Sequence, residues 1–174
     1  KKTQRSSGFT NNWQQALIAL ALSTASGGFL FGAMSFLLPR YFEINLASLS
    51  TNVAITGIFA GIVYACASFA QVAIGWLIDR ISPRLVLFWI SIGQVIFIYL
   101  ASQFENLSLF FLSIAAMSFV FGQIPITDTI LVRYVPDDWR SRVLSAKFLL
   151  NLCIGASVLP FTSYLLKIGY DLKM

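Results

Sequence analysis

Residues 75–84 read GWLIDRISPR, and the reading of the whole chain turns on them. An apolar stretch ends at Leu77–Ile78 and another begins at Leu85. Between them lie Asp79, Arg80, a Ser82-Pro83 turn and Arg84. A short, charged, proline-bearing turn between two stretches of bilayer length describes a tight loop of a helical membrane protein on its cytoplasmic side.

Working outward, three more gaps between apolar stretches appear. A transmembrane helix needs about 20 predominantly apolar residues. Five stretches meet that length or come near it: 13–38, ending at Pro39-Arg40; 52–78; 85–101; 107–132; and 143–166. The expected fold is therefore all-α, a polytopic transmembrane bundle of about five spans. Residues 1–12 form a basic segment, 13–166 the five helices and 167–174 a short tail.

Composition agrees. Hydrophobic residues make up 57% of the 174, charged ones only 11%, and the mean hydropathy is +0.78. A soluble domain carries about 25% charged residues. The net charge of +5 does not mark a nucleic-acid partner, because the charges fall in gaps between apolar runs rather than along one face. With no histidine, His-based triads, haem ligation and His-containing zinc sites are excluded. Cys66 and Cys153 sit singly inside separate apolar runs and read as small hydrophobes. No phosphate-binding loop suggests ATP-driven transport. No catalytic group, cofactor or metal site is expected.

The basic residues orient the chain. With the N-terminus inside, the inner segments hold Lys1, Lys2, Arg5, Arg80, Arg84, Arg133, Arg140, Arg142 and Lys147. The outer segments hold only Arg40, Lys167 and Lys173. By the positive-inside rule the N-terminus is cytoplasmic and the tail extracytoplasmic, in a multi-pass protein of the plasma (inner) membrane. Trp13, Tyr41, Phe104, Tyr134, Trp139 and Tyr170 stand near span ends, as an interfacial aromatic belt would. The first apolar run is long and lacks a small-residue cleavage site, the pattern of a span rather than a cleaved leader.

The loop pattern Gly75-x-Leu77-x-Asp79-Arg80-x-x-x-Arg84-x-x-Leu87 resembles the signature loop of the major facilitator superfamily, the twelve-helix secondary transporters. Ser82 stands where that motif usually has Gly, and Pro83 where it has the first of two paired basic residues; this weaker form resembles the second half of the family. Gly122-Gln123-Ile124-Pro125, Tyr134-Val135-Pro136 and Trp139-Arg140-Ser141-Arg142 resemble its tenth helix and following loop. Gly155-x-x-x-Leu159-Pro160-x-x-Ser163 is similar to a degraded copy of its Gly-rich fifth or eleventh helix. The resemblance implies helices seven to eleven of a permease. The missing N-terminal half of the same chain would then be a partner, alongside the lipid bilayer, a small-molecule solute and a coupling ion where one drives transport. The absence of a starting Met fits a fragment; helices one to five are the second assignment.

Polar residues within the spans are the candidate functional ones. Ser26, Tyr64, Ser68, Gln123, Thr127 and Asn151 fall near mid-depth, with Gln71 and Asp128 nearer the cytoplasmic face. By the resemblance, Tyr64, Gln71, Gln123 and Asn151 face substrate, and Gln94 on the outer third span holds helices together. For each amide, interhelical hydrogen bonding is the competing reading. Gly75, Asp79, Arg80 and Arg84 form the gating motif, in which Gly75 permits close helix approach. Asp128 lies about 30 Å along its span and reads as a cytoplasmic gate or ion pair rather than a proton carrier. Gly57, Gly61 and Ala65 make a small-residue stripe suited to close helix packing. With no Arg or Lys at mid-depth, anionic substrates are disfavoured. A non-transporting receptor or scaffold on the same fold is the alternative function, and a membrane-embedded enzyme a more distant one.

Overall fold

A computed structural model describes residues 13–46 and 52–168. The basic segment 1–12 and the end of the tail lie outside the described residues, as do Tyr170 and the side chains of Trp13 and Tyr134. The rest is an all-α bundle of five helices: α1 (Trp13–Asn45), α2 (Val53–Ile78), α3 (Pro83–Gln103), α4 (Asn106–Tyr134) and α5 (Asp137–Ile168). Each is long and apolar enough to cross a membrane. Even α3, the shortest at 21 residues, is about 32 Å long at 1.5 Å per residue, against a hydrocarbon core of about 30 Å. The chain is a multi-pass integral membrane protein.

The turns follow local chemistry. Asn52 caps α2 by accepting from the Ala54 N–H at 2.9 Å. Pro83 opens α3, where its missing N–H costs nothing. Asn106 opens α4 at a φ of 59°, a left-handed conformation that asparagine tolerates. Asp137 and Asp138 place negative charge at the positive end of the α5 dipole.

Two helix boundaries differ from expectation. The first span does not stop at Pro39-Arg40: α1 continues through Pro39 to Asn45. Proline inside a helix removes the hydrogen bond to the carbonyl four residues back, here that of Ser35. The Tyr64 hydroxyl on α2 takes its place, donating to the Ser35 carbonyl at 3.0 Å. On either side of the proline, Leu38, Phe42 and Leu46 are buried against α2 and α4, and this packing holds the last two turns. The fifth helix begins at Asp137, six residues before the expected Val143, because the acidic first turn belongs to it.

Apart from α3 and α4, chain neighbours are not the main packing partners. α4 is the axis, packed along α2 and α3 and, less extensively, α1. One apolar cluster joins the end of α1 to α2 and α4 through Phe42, Val63, Leu109 and Met117. A second joins α3 to the other end of α4 through Val86, Ile90, Ile126 and Ile130. Gln94 is also buried on α3, its Nε2 without a hydrogen-bond partner among the described residues. α5 docks on α1 instead, where Gly32 meets Gly155 and Phe29 meets Phe161 edge-on at 5.6 Å. α4 and α5 touch at few places, although only Val135 and Pro136 separate them in sequence.

Candidate functional site

A small cleft opens where α1, α4 and α5 converge, with about 40 Å³ of free volume. That is far below the ~300 Å³ of a whole small-molecule site, so the cleft is one wall of a site or the seat of a single polar group. Helical periodicity builds it. Ser23, Thr24, Gly27, Gly28 and Phe31 form one stripe of α1, Val120, Gln123, Ile124 and Thr127 one stripe of α4, and Lys147 and Asn151 are one turn apart on α5.

Glycine makes room for the amides. A Cβ on Gly28 would stand 2.2 Å from Asn151 Oδ1, and one on Gly27 3.0 Å from Gln123 Oε1. Real Cβ atoms do not approach as closely as 2.2 Å, so the Asn151 amide occupies space that only Gly28 leaves, while a Cβ on Gly27 would make the Gln123 amide give by a few tenths of an ångström. Gln123 Nε2 donates across to α1, to Ser23 Oγ at 3.2 Å and the Ser23 carbonyl at 3.4 Å. Its Oε1 is buried without a partner.

Lys147 carries the charge. Its Nζ donates to Thr127 Oγ1 at 2.7 Å and to Asp128 Oδ1 at 2.6 Å. The Lys147 side chain is 13% exposed and the Asp128 side chain 44%. The Thr127 hydroxyl in turn donates to the carbonyls of Gln123 and Ile124, at 3.1 and 3.0 Å. An ionisable pair within spans is costly to place in a bilayer, and such residues usually face a bundle interior or a water-filled cavity.

Of the four residues expected to face substrate, Gln123 and Asn151 come together in the cleft. Tyr64 and Gln71 do not; both lie on α2, and the Tyr64 hydroxyl is engaged by Ser35. Asp128 sits beside the cleft as the partner of Lys147. The residues expected to form a gating motif lie elsewhere, at the α2–α3 turn. Asp79, Arg80 and Arg84 are exposed there, and the Arg80 guanidinium lies 3.8 Å over the Trp76 ring. Nothing lies within 4 Å of a Cβ placed on Gly75, Gly57 or Gly61, so none of these glycines makes a close helix contact within the described residues.

Lys147 and the Gly27-Gly28 pair went unrecognised in the sequence. A fifth span starting at Val143 puts Lys147 only about one turn inside it, which groups it with the basic residues of the inner segments. Pro136 followed by Asp137-Asp138 was the available signal, since acidic residues after a proline mark a helix start. With α5 beginning there, Lys147 lies about three turns inside it, or some 15 Å.

No family model matches the chain, and no curated protein or solved structure matches it.

Proposed function

We propose that the protein is part of a secondary active transporter that moves a small solute by alternating access, with the architecture of a major facilitator superfamily half. The observation that carries this reading is the polar cleft itself. Lys147, Asp128, Gln123, Asn151 and Ser23 gather between three otherwise apolar helices. Polar groups within the membrane spans, at the meeting of several helices, are the usual form of a transporter's substrate site. The cleft's small volume suits one wall of a cavity whose other wall comes from the N-terminal half of the same chain. The open space around Gly57, Gly61 and Gly75 supports further helices packing on α2.

In this reading the N-terminus is cytoplasmic. Gly75, Asp79, Arg80 and Arg84 form the cytoplasmic loop that locks one state, and solute binding shifts the equilibrium between inward- and outward-open states through differential contacts. The Lys147–Asp128 pair is the charged element nearest the solute.

The test is flux. The protein at its natural full length is reconstituted in vesicles, and labelled sugars, amino acids, carboxylates and amines are offered under a proton or sodium gradient. At least one should enter faster than into protein-free vesicles, and Lys147→Met should slow it tenfold or more with insertion unchanged. Saturable binding without flux of any solute would favour the receptor reading instead.

A further inference from the structure

The cleft's unpaired groups and its charge balance together select a class of ligand. Gln123 is 7% exposed. Its amide orientation follows from its neighbours, because the group beside the Ser23 carbonyl must be the donor, Nε2. Oε1 therefore turns away from Ser23; it is buried, has no hydrogen-bond partner among the described residues, and belongs to a side chain that lines the cleft. A buried acceptor left unpaired is unfavourable, and this one requires an O–H or N–H donor. Lys147 has three ammonium protons. Among the described residues two have acceptors, Thr127 Oγ1 and Asp128 Oδ1, and the third is available to an acceptor in the cleft.

Charge narrows the choice. Lys147 is the only charged residue among those lining the cleft, and Asp128 already balances it. An anion would compete with Asp128 for the ammonium, and a cation would be repelled by it. In a site walled by apolar helices either excess charge is strongly disfavoured. The fitting ligand is neutral, gives a proton to Gln123 Oε1 and offers a lone pair to Lys147. A hydroxyl group does either. Gln123 and Thr127, which holds the Lys147 Nζ, are one turn apart on α4, about 5.4 Å along its axis. Hydroxyls on neighbouring or alternate carbons bridge that spacing.

We infer that the cleft forms one wall of a site for a neutral polyhydroxylated solute, one hydroxyl donating to Gln123 Oε1 and another accepting from Lys147 Nζ. The inference rests on the transporter reading for the purpose of binding, not for the site itself. Phe31 supplies the apolar wall for the solute's C–H face.

Equilibrium binding to the protein in nanodiscs tests this, with labelled glycerol, sorbitol and inositol as probes and lactate and choline as charged competitors. At least one polyol should bind saturably, with no competition from lactate or choline. Gln123→Met should weaken binding tenfold or more. Gly27→Ala, whose Cβ would stand 3.0 Å from Oε1 and shift it by a few tenths of an ångström, should weaken binding by a smaller factor with the amide retained. Both variants should keep wild-type helix content and elution volume. Gly61→Ala, in open space, should bind as wild type. No saturable polyol binding, the result if water alone fills the cleft, would overturn the inference. So would tighter binding of lactate or choline, or wild-type binding by Gln123→Met. Polyol binding without flux in vesicles would remove the transporter reading and keep the site; flux of another solute without polyol binding would do the reverse.

Discussion

Lys147 Nζ lies 2.6 Å from Asp128 Oδ1 and joins two helices, α4 and α5, that otherwise touch at few places. The two partners are unequally buried, and that inequality sets what each contributes. Removing Asp128 leaves a largely buried ammonium with Thr127 as its remaining acceptor. Removing Lys147 leaves a carboxylate that is only about half buried.

Asp128→Ala should therefore destabilise the protein by about 2 kcal/mol and Lys147→Ala by about 1 kcal/mol, the scale of a charge-assisted hydrogen bond. The double variant should cost less than the sum of the two. Chemical unfolding in detergent micelles measures all three. Strict additivity would mean that the pair is not coupled.

Tyr64 and Pro39 make a second linked pair. Tyr64→Phe leaves the Ser35 carbonyl without a partner and should cost about 1 kcal/mol. Pro39→Ala restores the backbone N–H that reaches Ser35. In that background Tyr64→Phe should cost less than half as much. An unchanged cost in both backgrounds would show that the hydroxyl does not stand in for the missing helical bond.

The glycines on α1 and α2 should behave oppositely. A Cβ on Gly32 would lie 2.9 Å from the Gly155 backbone, which cannot swing aside. Gly32→Ala should force α1 and α5 apart and cost about 1–3 kcal/mol. Gly61→Ala meets nothing within 4 Å and should be neutral, or stabilising by up to about 1 kcal/mol through helix propensity. Unfolding of the 174-residue protein compares them. A loss at Gly61 of the size seen at Gly32 would show that another surface covers the α2 stripe.

Orientation has its own test. Cysteines at Ser82 and Glu105 flank α3, and both positions are exposed. The native Cys66 and Cys153 are also exposed and are first replaced by Ala. In intact cells an impermeant maleimide should label the Glu105 position only, and the Ser82 position only after permeabilisation. The reverse pattern would invert the topology, and labelling of both from one side would remove α3 as a span.

The five spans were legible in the sequence because hydropathy is a local property, and a run of about 20 apolar residues needs no partner to declare itself. The turn at 79–82 was legible for the same reason, with Asp79, Arg80 and Ser82-Pro83 interrupting the run. The polar candidates Gln123 and Asn151 were visible as amides inside apolar stretches. What they face was not, since one sequence does not set the rotation of a helix about its axis. Packing set it: α5 lies along α1 where Gly32 and Gly155 let the backbones meet, and that docking brings Lys147 and Asn151 opposite Gln123 and Thr127. The same long-range packing carried α1 past Pro39, because a hydroxyl 29 positions away supplied what the proline removed, and it took Tyr64 out of the cleft. Local chemistry determined which segments enter the membrane; contacts between distant segments decided which side chains meet there.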